Sequence, residues 1–508
     1  MEALLNKRSV QLSQRIMNQS EECAISGEYI LPEYCSDIAV ILKCFAYPHV
    51  QNRQWSGDQL MIDGAADIRV LYLDEGRQCV HSLEFSQPFS CVMRSSADMD
   101  VTAVELHLST KYVTCRAVSP RRIEFRGAIT ISAEAECAVL ADIAEALDAD
   151  GFYARTERVP ITVPGTMCEK VMSVTESLEF DRSLPPAEKL LGGECRAVIK
   201  EAKILTGKVI TKGMVYIHQL YTDTPEGMDT YPLDYSVPFS QILDVPEARE
   251  GLTCKTSVQV LSDAERCSIG PDGENTILDV VIKLLIQVQV YHPSEVMLLQ
   301  DAFHGHYPVS VKMEDMHLSS FVGQRYEEEK VMLHVTLPPG HWRQVIDAWV
   351  QCQDIQEECL DGAILHKGRF QIACVTRDAE DEIVIHEFLE EYRLKFSIQG
   401  NHAIALPVVT DVRCRIHEEK LEVLVTLSVC ISEWQLDCCR VVSDLSLVEE
   451  SPYPKYKANV LLYYASGGES LWNIGRSCHT SPQEIARENH LSGEFVDDAC
   501  VLIVPVTQ

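Results

Sequence analysis

The residues of this chain whose types and spacing could do chemistry are few. His304-Gly305-His306 stands close to Asp301, with Asp315 and His317 shortly after, and imidazole plus carboxylate is a ligand set for a divalent metal. The His pair occurs once although the sequence around it recurs, so a solvated loop is expected and no metal or cofactor is assigned. Cys438-Cys439 is a second candidate. Vicinal cysteines close only a strained disulfide, and the neighbours are not electropositive enough to activate a thiol, so one buried and one solvent-facing thiol are expected. The sequence carries no Gly-x-x-x-x-Gly-Lys-Ser/Thr phosphate loop, Gly-x-Ser-x-Gly elbow, His-Glu-x-x-His helix or Cys-x-x-Cys pair. The expectation is therefore a protein that is not an enzyme. The acidic runs Glu327-Glu328-Glu329 and Glu357-Glu358 read as solvated faces, with docking of a basic partner as the alternative.

The elements that hold these residues belong to a long, acidic chain. At 508 residues, and roughly 150 residues per domain, three or four domains are expected. With 44 Lys and Arg against 76 Asp and Glu, the formal net charge of −32 repels phosphate backbones and anionic lipid, so nucleic acid and bare membranes are poor partners. Apolar residues at 46% fit a folded chain. The 20 cysteines are scattered singly, and Cys115, Cys137 and Cys430 sit in strand-like runs where a free thiol acts as a small hydrophobe, which points to a reducing cytosol. The amino-terminal residues mix charges and amides and are not read as a signal peptide. The longest apolar run, Val280 to Val290, is broken by Lys283, Gln287 and Gln289 and is too short for a transmembrane segment.

Internal repetition organises the rest. Glu169-Lys170-Val171-Met172 recurs as Glu329-Lys330-Val331-Met332, and each leads to a Leu-Pro-Pro step, Leu184-Pro185-Pro186 and Leu337-Pro338-Pro339, with Leu31-Pro32 as a weaker first copy. Pro at a helix start predicts short helices over 36–43, 187–191 and 342–349. A glycine follows in each copy, Gly64, Gly213 and Gly368, read as a hairpin position before the runs 65–73, 214–222 and 369–376. Pro88-Phe89-Ser90 matches Pro238-Phe239-Ser240, whereas the third copy has Glu391-Tyr392-Arg393. Long alternating strands, 123–139, 277–291 and 421–434, close the copies, each followed by an acid, Asp148, Asp301 and Asp444. The fold expected is mainly β: three tandem sandwich-like repeats over 1–168, with an N-terminal extension, 169–328 and 329–449. A Pro-, Tyr- and Lys-rich linker over 450–457 then leads to a small unit over 458–508.

That last unit contains Gly467-Gly468-Glu469-Ser470-Leu471-Trp472, then Ser481-Pro482 opening a second helical stretch that ends at Asn489, and closes in Ile503-Val504-Pro505. Glu469 and Ser470 could cap a first helix and Ser481 a second, with Leu471, Ile474, Ile485 and Leu502 as the core. The order resembles a LysM module, a βααβ fold whose shallow groove binds N-acetylglucosamine chains. The resemblance places Gly468, Glu469, Ser470 and Leu471 on one side of the groove, and Asn489, Leu491 and Val496 on the other. Glu469 stands where the family usually has Asp, and Ala499 where it has Gly.

The triple repeat followed by this tail resembles the SPOCS-domain proteins of endospore-forming bacteria. The motifs are the Leu-Pro start, Leu71-Tyr72-Leu73-Asp74 and Leu220-Tyr221-Thr222-Asp223, and Pro-Phe-Ser. The resemblance implies a morphogenetic protein at the forespore surface, in the mother-cell cytoplasm. It would link the basement-layer ATPase of the spore coat to other coat proteins. In that place the tail would bind protein through Leu471, Trp472, Leu491 and Phe495. The alternative is a cell-wall protein that binds peptidoglycan.

Overall fold

The computed structural model describes residues 5–76, 79–95, 101–147, 149–224, 229–338, 340, 342–417, 420–448, 451–454 and 458–506. Antiparallel strands build nearly all of it. The first unit comprises β1 (Leu5–Ile30), β2 (Val40–Ser56), β3 (Gln59–Leu73), β4 (Val80–Arg94), β5 (Val101–Ser119) and β6 (Arg122–Leu147). Its strands form two sheets, a β2-β3-β4 meander and a β1-β6-β5 sheet with the long β6 at its centre. Apolar residues from the facing sides of both sheets, among them Ile62, Ile68, Phe125 and Ile129, share one buried core, which makes the unit a sandwich.

The second unit contains β7 (Phe152–Pro164), β8 (Cys168–Glu179), β9 (Lys189–Leu205), β10 (Lys208–Thr222), β11 (Thr230–Asp244), β12 (Thr253–Ile269) and β13 (Asn275–His304). The third contains β14 (Val309–Thr336), β15 (Trp342–Leu360), β16 (Ala363–Asp378), β17 (Ile383–Ser397), β18 (His402–His417) and β19 (Lys420–Leu447). Both repeat the first: β9-β10-β11 and β15-β16-β17 are the meanders, and β13 and β19 the central long strands. In the second unit the edge strand is split. β8 pairs with the first half of β13 and β7 with the second half, where β1 and β14 run unbroken along their partners. The edge strands therefore begin at Phe152 and Val309, ahead of the boundaries expected at 169 and 329.

Other expectations are corrected by the strands. The helices read over 36–43, 187–191 and 342–349 do not form; residues 40–43, 189–191 and 342–349 lie in β2, β9 and β15. Gly64, Gly213 and Gly368 are not hairpin turns but mid-strand positions, paired with Phe89, Phe239 and Tyr392 on the next strand. At Gly64 a Cβ would come within 2.5 Å of the Phe89 ring, so the glycine is the seat on which the ring lies. Tyr392 covers Gly368 in the same way, and the third copy keeps the pair despite its changed motif. Asp301 and Asp444 lie inside strands, while Asp148, Pro339 and residues 450 and 455–457 of the linker fall outside the described residues.

The units are not beads on a string. The outer faces of the three meanders meet in a shared apolar cluster that includes Phe45 and Leu71, Leu191 and Leu220, and Ile346 and Trp349. The far halves of the long strands pair into three ribbons that pack on one another through Val10 and Ile143, Val159 and Val296, and Leu318 and Val441. Each seam has its own polar lock. At the first–second seam Arg69 donates to the Gly193 carbonyl and pairs with Glu84 at 3.0 Å. At the second–third seam His218 lies 2.7 Å from Asp234 and 2.9 Å from Asp347. At the third–first seam Lys43 pairs with Glu387. Deeper in the first–second seam, Lys255 pairs with Glu105 at 2.5 Å, both side chains nearly dry.

Candidate binding surface on the C-terminal module

Residues 458–506 fold as β20 (Val460–Ala465), α1 (Leu471–Cys478), α2 (Pro482–Glu488) and β21 (Cys500–Pro505), with β20 and β21 paired antiparallel. Leu471, Ile474, Ile485, Val496, Leu502 and Val504 are its buried core. Ser481 opens α2 as read from the sequence: its hydroxyl accepts from the Glu484 N–H at 3.4 Å, with Pro482 in the first turn. Ser470 has the extended backbone of an N-cap, but its side chain makes no capping bond. Glu469 is used differently again. Its carboxylate accepts from the Tyr463 hydroxyl at 2.5 Å and from the Ser466 N–H at 3.1 Å, which closes the turn ahead of the helix.

The two loops expected to flank a groove are bonded directly to each other. Gly468 N–H donates to the Val496 carbonyl at 2.7 Å, Val496 N–H to Glu469 at 2.9 Å, and Leu471 N–H to Glu494 at 2.9 Å. Gly468 can follow this path because its φ of 82° suits a residue without a Cβ. Asn489 is fully engaged: its amide donates to the carbonyls of Ile485 (2.8 Å) and Ile503 (2.7 Å) and accepts from the Ile503 N–H (2.7 Å). Leu471 and Val496 are buried and Leu491 packs partly against the core. Of the nine residues singled out from the sequence, Phe495 is the large apolar side chain left open, 58% exposed beside Ser470.

Trp472 points elsewhere. Its indole N–H donates to Asp301 at 2.9 Å and its ring meets Phe303 edge-on, so α1 is seated on the end of β13. Arg476 reaches the same Asp301 oxygen at 2.8 Å, and Tyr453 stacks on His479 at 3.5 Å. The His304-Gly305-His306 segment supports this seat: His304 Nδ1 accepts from the backbone N–H groups of His306 and Tyr307, at 2.9 and 3.2 Å, and so shapes the turn that ends β13.

A family model described as SipL, SPOCS domain, matches residues 37–113 and again 186–263. The first two units are thus similar to SPOCS domains. No curated protein and no solved structure matches the chain. The two matched segments take in the same strands, β2 to most of β5 and β9 to much of β12, and so centre on the meander with its glycine-aromatic pair. The third unit lies outside the matched segments and has the same strand order.

Sequence reasoning missed one surface of the tail. Leu462 pairs with Ile503 and Tyr464 with Val501, so these four side chains share the outer face of the β20–β21 sheet. Leu462 is 65% exposed and Tyr464 79%, with Val501 and Ile503 about half exposed. The signal was present in Val460-Leu461-Leu462-Tyr463-Tyr464, where both phases of the strand are apolar although only one can face the module's own core. Among the described residues, Cys195, Asp263 and Glu265 also converge closely enough to hold a metal. Cys195 and Asp263 line a seam cavity with Arg69, whose charge also acts on Glu265 and opposes a cation there.

Proposed function

We propose that this protein is a non-enzymatic scaffold of spore coat and envelope assembly, working from the mother-cell cytoplasm at the forespore surface. The three-unit body binds coat proteins, and the tail, a LysM-like module, binds the basement-layer morphogenetic ATPase. The SPOCS similarity supports the sporulation setting. The single observation that carries the protein-binding reading is the open apolar face of Leu462, Tyr464, Val501 and Ile503, while the polar groups that could hold a sugar, the Asn489 amide and the Glu469 carboxylate, are spent inside the module. Exposed aromatic and aliphatic clusters of this kind are interface anchors.

The test is a pull-down from sporulating cells with the whole chain and with a chain lacking 458–508, together with a fluorescent fusion. The reading expects a ring of fluorescence around the forespore and loss of the ATPase from the truncated bait. A diffuse signal, or enrichment of the tail on insoluble peptidoglycan without capture of coat proteins, would replace it with the cell-wall reading.

A further inference from the structure

A cavity of about 870 Å3 opens between the ribbon of β7 and β13, the ribbon of β14 and β19, and helix α1 of the tail. Four arginines line it: Arg155 and Arg158 from β7, Arg440 from β19 and Arg476 from α1. In a chain with 76 acidic against 44 basic residues, this is a local reversal of sign. Three carboxylates share the wall, so the arginines outnumber them by one, and each carboxylate already accepts a hydrogen bond. Glu157 accepts from the Gln300 amide, Asp437 accepts from Gln435 at 2.8 Å, and Asp301 accepts from both Trp472 and Arg476.

The guanidinium groups are less committed. Arg155 lies opposite Asp301 in the β7–β13 ladder, yet the Asp301 oxygen is held by the tail, and among the described residues neither the Arg155 nor the Arg440 side chain has an ion pair or hydrogen bond. Arg158 reaches only Glu295, at 3.3 Å and in open solvent, a pair of little strength. A free guanidinium presents a planar fork that matches the oxygens of phosphate two at a time.

We propose that this cavity binds a small anion carrying two or more phosphoryl groups, with Arg155 and Arg440 as its principal ligands and Arg476 completing the site from the tail. An acidic protein segment would offer similar oxygens, but strung along a chain that a net charge of −32 repels throughout its length. A compact anion meets chiefly the field within a Debye length of the arginines. Because Arg476 arrives only when Trp472 seats α1 on Asp301, occupancy of the cavity and docking of the tail are coupled.

The probe is inorganic triphosphate, titrated calorimetrically into the full chain at low ionic strength. The proposal expects saturable binding at one site per chain. The double change Arg155→Gln with Arg440→Gln should weaken it at least tenfold, and Arg266→Gln, at an exposed arginine outside the cavity, should leave it unchanged. Arg440→Lys, which keeps the charge and removes the fork, should cost at least threefold and serves if the double variant loses its thermal transition. Absence of binding, equal affinity in the cavity variants, or stronger binding of a poly-glutamate peptide than of triphosphate would overturn the proposal.

Discussion

Gly64, Gly213 and Gly368 each carry an aromatic ring from the neighbouring strand, and that pair is the residue-scale signature of the meander. Gly213→Val would drive a side chain into the Val198 backbone carbonyl as well as the Phe239 ring and should cost at least about 3 kcal/mol; Phe239→Ala should cost about 3–5 kcal/mol, both read from urea midpoints. Tyr392→Phe keeps the ring over Gly368 and loses the hydroxyl contacts to His366, 3.2 Å away, and to Cys352, so about 1–2 kcal/mol is expected. Both halves of this pair were visible in the sequence as motifs, but some 25 residues apart, and nothing local says that one covers the other. His218 gives a pH prediction. Burial pulls its imidazolium down, but the Asp347 and Asp234 carboxylates outweigh that and hold its pKa well above the ordinary value. A raised folded-state pKa means that the stabilisation is complete below the unfolded value of about 6.5 and is lost as pH rises through the raised one. Urea midpoints followed from pH 6 into the alkaline range should therefore fall for the natural chain more than for His218→Gln.

At the scale of elements, the two tail helices differ in a way that separates capping from appearance. Ser481→Ala should cost about 1 kcal/mol, because its hydroxyl accepts from the Glu484 N–H, whereas Ser470→Ala should change the thermal midpoint little, because Ser470 makes no such bond. The tail's βααβ order and its core of Leu471, Ile474, Ile485 and Leu502 were legible because each small element carries its own stop and start signals. The strands after each Pro step were not. Val40-Ile41-Leu42-Lys43-Cys44-Phe45-Ala46 shows no period of two, since Cys44 and Ala46 face the sandwich core while Leu42 and Phe45 face the centre shared by the three units. A strand covered on both faces cannot be told from a buried helix by periodicity, and the preceding Pro tipped the reading toward helix. Asp301 is the joint between elements: Asp301→Ala should release α1 from the end of β13, seen as independent tumbling of the tail in NMR relaxation while the melting of the body is unchanged.

For the whole molecule, three copies of one sandwich bury their remaining apolar faces against each other, and different polar pairs at each seam fix which copy meets which. Lys255 and Glu105 show what a seam pair carries. Glu105→Gln removes the nearer of two carboxylates from a dry ammonium, leaving Glu134 at 3.4 Å, and should destabilise the chain by about 1–3 kcal/mol in urea unfolding. The number of copies could be read from repetition, but the seams could not, because Arg69 over Gly193, His218 with Asp347 and Lys43 with Glu387 occupy equivalent places with unrelated residues. With those faces consumed internally, the apolar surface that the tail leaves open becomes the place where the account is most exposed to refutation. The direct measurement is capture of the basement-layer coat ATPase by the purified full chain, compared with a variant carrying Leu462→Asp and Tyr464→Asp. The account predicts at least a tenfold loss of capture at an unchanged melting temperature; undiminished capture by the folded variant would contradict it.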